Sequence, residues 1–106
     1  MSDYGLEYHP AVYDDLFDIF LFIEAYAGPE VARRKLDEIE EVTRGLTDFP
    51  HIGSVRNELA AGLRAVPAAE KAVISFTIDE NRLTVRILCI SYAGGDWMGR
   101  VRKRQE

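Results

Sequence analysis

A chain of 106 residues suffices for one compact domain and leaves little material for a second domain or a deep cofactor cleft. A hydrophobic content of 47% excludes wholesale disorder, and a net charge of −5 argues against broad, nonspecific nucleic-acid binding. The longest apolar run, residues 19–23, is too short to span a bilayer. The first residues carry no positively charged leader, and the only cysteine, Cys89, excludes an internal disulfide; together these features point to the cytoplasm.

The charge is uneven. Residues 1–50 hold twelve acidic and four basic side chains, a balance of −8, whereas residues 51–106 hold six acidic and nine basic ones, a balance of +3. Arg100, Arg102, Lys103 and Arg104 form a short basic tail, read either as a solvated end or as a functional surface.

Residues around Leu6 and Tyr8 read as a first strand ending at His9-Pro10. The spacing then predicts a helix over 10–27, with Pro10 in its first turn, His9 helping to cap it, and Val12, Leu16, Ile19, Ile23 and Tyr26 on its core face. Phe17, Phe20, Leu21 and Phe22 fall partly outside that stripe, so this helix is either deeply buried or covered by a partner. Asp14, Asp15 and Asp18 suit the helix start, where the dipole favours negative charge.

Gly28-Pro29 separates a second helix over 29–47, with Ala32, Leu36, Ile39, Thr43 and Leu46 inside and mostly charged residues outside. The short link makes an antiparallel hairpin. After Phe49-Pro50 comes a loop through Gly53, then strands over 63–66, 72–78 and 83–92. Ile74, Phe76 and Ile78 share one face of the second of these. Leu83, Val85, Ile87 and Cys89 share one face of the last, with Leu88 and Ile90 opposite. The expectation is an α+β fold: an N-terminal strand, a two-helix antiparallel hairpin, then a three-stranded antiparallel sheet packed on the helices, with the sheet's other face available to a substrate or partner.

No His, Cys or carboxylate spacing matches a metal site, and no phosphate-binding or dinucleotide glycine motif occurs. Gly94-Gly95 reads as a turn, and Cys89 as a packed small side chain. No cofactor is expected.

The informative stretch is Pro50-x-x-Gly53-x-x-Arg56-x-Glu58-Leu59-x-x-Gly62-Leu63-Arg64. With the run over 11–19, the Gly28-Pro29-Glu30-x-Ala32 helix entry and the Val85-x-Ile87-Leu88-x-Ile90 strand, it resembles the ParE branch of the RelE/ParE toxin superfamily over almost the whole chain. The resemblance implies a single toxin domain over 1–106, made beside a ParD-like antitoxin. It also implies action on DNA gyrase by binding rather than by enzymatic turnover, with no membrane association and no stable direct nucleic-acid binding.

Under this resemblance, Arg56, Arg64, Asp96, Trp97 and Arg100 are the target-binding candidates, and Tyr13, Phe17, Phe20, Leu21 and Phe22 face the antitoxin, with a homodimer through the same face as the alternative. Two other functions stay open. A RelE-like, ribosome-dependent mRNA endonuclease would use Arg64, Arg86 and Tyr92; against it, Ala72 or Val73 stands where such nucleases carry an arginine, and the chain is acidic. An inert binding module is the other, because Gly95 stands where ParE-like relatives often carry arginine.

Overall fold

The computed structural model describes residues 3–105; Met1 and Ser2, read above for a leader, lie outside the described residues. Strand β1 (Gly5–Tyr8) leads through a tight turn into α1 (Val12–Ala27), followed by α2 (Pro29–Gly45), β2 (Ser54–Val55), β3 (Arg64–Ala68), β4 (Ala72–Asp79), β5 (Thr84–Tyr92) and α3 (Trp97–Arg104). Helix α1 starts two residues later than expected. Pro10 lies in the preceding turn, where the His9 imidazole Nδ1 accepts the Ala11 N–H at 3.1 Å, so His9 does assist the helix entry.

The five strands lie in the order β1-β5-β4-β3-β2, with β1 parallel to β5 and the other pairs antiparallel. One more strand is present than the sequence suggested: Ser54 and Val55 pair with Ala65 and Arg64. Gly53 makes this approach possible. Its φ is +82°, and a Cβ there would collide with the Ala65 carbonyl.

The two hairpin helices bury their stripes on one face of the sheet, as the periodicity implied. Val12, Ile19, Ile23, Ala32, Ile39 and Leu46 meet Val66, Ala68, Ile74, Phe76, Val85, Ile87 and Ile90 in one core. Tyr26, expected inside, is 59% exposed.

The face assignment of β5 needs correction. Ser75 pairs with Cys89 but Phe76 pairs with Ile87, so Leu88 is an extra residue, a β-bulge. The bulge returns Ile90 to the helix-side core with Val85 and Ile87. Leu88 and Cys89 instead join a second core with Leu63 and Val101 on the opposite side, covered by Leu59, Ala60 and Trp97. Leu83 lies outside the strand, exposed and at φ 49°.

The basic tail is solvated only in part: Arg102 and Lys103 are exposed, whereas Arg100 and Arg104 are half-buried. Its residues belong to α3, which folds back on the sheet through Val101, so the far face of the sheet is partly covered.

Candidate functional site

Two surfaces carry unusual side chains. The first is the outer side of α1. Tyr13, Phe17 and Leu21 follow one another at four-residue spacing and are 62%, 62% and 45% exposed, a stripe turned away from the core. Beside it a cleft of about 270 Å³ opens between the two helices, lined by Tyr8, Tyr13, Leu16, Leu36, Ile39 and Glu40 among others. The Tyr8 and Tyr13 rings meet edge-on at 5.8 Å, forming one wall. Exposed carboxylates on both helices, Asp14, Glu24, Asp37 and Glu41 among them, make the surroundings acidic.

Not every α1 candidate belongs to this stripe. Phe20 is half-buried against the core. Phe22 lies on the other side of the helix, where its ring meets Tyr26 and Tyr92 edge-on at 5.5 and 6.1 Å. Burial and a hydrogen bond with Tyr26 push the Tyr92 phenol up to about 12.

The second surface joins α3 to the far side of the sheet. Trp97, half-buried against the second core, lies under the Arg56 guanidinium, whose central carbon is 5.3 Å from the ring centroid. Arg56 Nε also donates to Glu58 at 2.6 Å. A shallow groove of about 180 Å³ runs beside the indole, lined by Ser54, Arg56, Ala65, Pro67 and Val73. Asp96 caps α3 by accepting the Gly99 N–H at 3.2 Å. Met98, Arg102 and Lys103 are exposed along the helix. Arg100 folds over Gly95, its Nη2 lying 3.3 Å from where a Cβ on that glycine would stand.

Arg64 is turned elsewhere. Its Nη1 donates to the carbonyls of His51 and Ile52 at 3.2 and 3.4 Å, tying down the loop after α2. The trio that an RNase would need is therefore dispersed. Arg64 holds that loop, Arg86 reaches Glu7 at 3.5 Å on the β1 side, and Tyr92 packs with α1 roughly 20 Å along β5 from Arg86.

A family model described as the ParE toxin of the type II toxin–antitoxin system, parDE, matches residues 6–97. The chain belongs to the ParE toxin family. No curated protein matches it in sequence. A chromosomal ParDE system from P. aeruginosa is similar in structure, with a TM-score of 0.72 and 21% identity, over 84% of this chain and 95% of that one. A RelBE2 toxin–antitoxin complex from Mycobacterium tuberculosis matches with a TM-score of 0.62 and 19% identity, over 84% and 96%. A mutant E. coli RelE toxin in the free state matches with a TM-score of 0.62 and 8% identity, over 99% and 98%. At these identities the likenesses bear on the α+β fold alone, which the ParE and RelE structures share with this chain.

This ParE-family chain also contains a charged site that sequence reasoning missed. Asp15, assigned above to the helix dipole, is only 3% exposed. It accepts the Ile90 N–H at 3.0 Å and holds Arg104 by two bonds of 2.6 and 2.8 Å, with Arg100 at 3.3 Å. The Asp15 carboxylate raises the Arg104 pKa further. The signal was present: Asp15 lies three residues after Val12 and four before Ile19, within the buried stripe, and a carboxylate there requires cations. Burial pushes the neighbouring Cys89 thiol up to about 11, which keeps it protonated and unreactive at neutral pH.

Among the described residues, no group of three or more His, Cys, Asp or Glu side chains is placed to hold a metal ion. No described helix is long and apolar enough to cross a membrane.

Proposed function

We propose that this toxin acts by binding DNA gyrase through the Arg56–Trp97 face and is neutralised by a ParD-like antitoxin laid along α1. The observation that carries the binding mode is the contrast between the two residue sets. Arg64, Arg86 and Tyr92 do not converge on any point where a phosphate and a 2′-hydroxyl could both be held, as RNA cleavage requires. Arg56 and Trp97 instead stack on each other, an arginine and a tryptophan being residue types that dominate protein-binding hot spots, and the same helix that carries Trp97 exposes Met98, Arg102 and Lys103.

Arg100 and Asp96 support this face from behind. Arg100 brings a cation over Gly95, near the position where ParE-like relatives often carry arginine, which favours a working toxin over an inert module. On the opposite side, the Tyr13–Phe17–Leu21 stripe and its acidic flanks suit an amphipathic antitoxin segment with basic residues, while Phe20 and Phe22 lend support from the core and from the Tyr92 side. The cytoplasm is the compartment in which both partners would be met.

The test is induced expression without antitoxin, followed by supercoiling assays with purified gyrase. Growth arrest with lost supercoiling or trapped DNA breaks is the expected result. Arrest with active gyrase and cleaved mRNA would move the chain to the RelE-like nucleases, and normal growth would make it an inert binding module.

A further inference from the structure

We propose that Asp15 is a positioning residue for target binding: through Arg104 and Arg100 it fixes α3 in the pose that holds Trp97 beneath Arg56. This rests on the reading of the Arg56–Trp97 face as the target surface.

The other holds on helix α3 are the Asp96 cap and the packing of Val101 and Trp97 on the second core, and both hydrophobic anchors lie in its first five residues. At eight residues it is too short to be stable alone, and Val101 is its only fully buried side chain. The turn before it, with Ala93 at φ 53° and Gly94 at φ 77°, is held by the Ala93 N–H donating to the Lys71 carbonyl at 2.9 Å and by two local bonds, Gly95 N–H to the Tyr92 carbonyl and Trp97 N–H to the Gly95 carbonyl; these fix where α3 begins and leave its last turn, where Arg104 lies, to be held by other contacts.

The ion pair supplies what the short helix lacks. Strand β1 stops at Tyr8, opposite Ile87, and leaves the next part of the β5 edge without a strand neighbour. Asp15 accepts the Ile90 N–H there, and Arg104 donates to the Leu88 carbonyl at 2.9 Å while gripping both Asp15 oxygens. One carboxylate thus joins α1, the β5 edge and the last turn of α3. Without it, two guanidinium groups face each other across a buried site and the Ile90 N–H loses its acceptor.

The chain contains its own reporters. Trp97, its only tryptophan, is on α3, and Cys89, its only cysteine, lies in the core that α3 covers. The experiment uses Asp15→Asn, which keeps shape and removes charge, in the full chain purified from its antitoxin complex. The expected result is a red-shifted Trp97 emission, at least a tenfold faster reaction of Cys89 with a disulfide reagent, and loss of growth arrest. Affinity for the antitoxin should stay within about threefold, because the α1 stripe faces away from Asp15.

Should Asp15→Asn fail to fold, Arg104→Met tests the same contact from the end of α3, outside the main core, and Arg104→Lys should restore part of the wild-type behaviour. Wild-type Trp97 emission and Cys89 protection in both Asp15→Asn and Arg104→Met would overturn the proposal. So would a released α3 with full toxicity, since the face it presents would then not be the one that meets the target. Failure of the wild-type chain to inhibit gyrase would sink the gyrase reading alone, because neither optical nor thiol readout depends on the target.

Discussion

The guanidinium of Arg56 covers the indole of Trp97, 5.3 Å from its centroid, and joins the segment before β3 to the first turn of α3. Such a contact contributes about 0.5–2 kcal/mol, depending on how far it is desolvated. If this pair meets the target, Arg56→Ala should weaken gyrase inhibition about tenfold or more, and Arg56→Lys less, since an ammonium keeps the charge but not the planar stacking. Glu58→Gln removes only the 2.6 Å ion-pair partner and should change little. A supercoiling titration decides, and equal potency for Arg56→Ala and wild type would remove Arg56 from the site.

Phe17 is the most central member of the exposed α1 stripe. Phe17→Glu places a carboxylate where an apolar anchor is expected, among side chains that are already acidic. Antitoxin affinity should fall by about 2 kcal/mol or more, some thirtyfold, as for a hot-spot residue. Toxicity should persist, because Phe17 supports neither core. Growth arrest that the antitoxin no longer relieves is the expected phenotype. Unchanged rescue, with an unchanged dissociation constant by calorimetry, would take the antitoxin off this stripe.

Two groups with large upward shifts bear on alkaline stability, alongside smaller shifts in the same direction at Tyr8 and Lys35. The Cys89 thiol rises to about 11 and the Tyr92 phenol to about 12, both chiefly by burial. A folded-state pKa above the unfolded value means that the folded form favours the protonated group. The associated stability is complete below the unfolded pKa and is lost as pH climbs through the folded one. The denaturation midpoint should therefore decline between about pH 9 and 12. Cys89→Ala should flatten the lower part of that decline and Tyr92→Phe the upper part. Profiles parallel to wild type in both variants would show that neither group is responsible.

The hairpin and the long strands were legible because their burial is periodic. Ala32, Leu36, Ile39 and Thr43 repeat at helical spacing, and Ile74, Phe76 and Ile78 alternate. The bulge at Leu88 was not, because one inserted residue leaves an apolar run apolar and changes only which side each residue faces. Strand β2 is two exposed residues, with no period to read. Helix α3 has a single buried side chain, and its main tether lies 89 positions away at Asp15. The same separation hid Asp15, whose charge had a sufficient local explanation in the helix dipole. Of the target candidates, Arg56 and Trp97 do meet, whereas Arg64 lies apart from them with its Nη1 on the His51 and Ile52 carbonyls.

That role for Arg64 can be separated from target binding by comparison with Gly53, since both hold the same loop. Gly53→Ala forces a side chain onto a residue at φ +82° and against the Ala65 carbonyl, so β2 must move away from β3. The cost should exceed about 1 kcal/mol, and in a domain this size each kcal/mol lowers the melting temperature by roughly 4–8 °C. Arg64→Ala frees the His51 and Ile52 carbonyls, which stay partly solvated, so a smaller loss of about 1 kcal/mol is expected. If Arg64 acts only by tying this loop, both variants should reduce toxicity no more than their loss of folded protein explains, and both should recover full gyrase inhibition when assayed well below their melting points. A persistent defect in Arg64→Ala but not in Gly53→Ala would mean that the Arg64 guanidinium also touches the target, and the target surface would then extend from Trp97 across to the loop after α2.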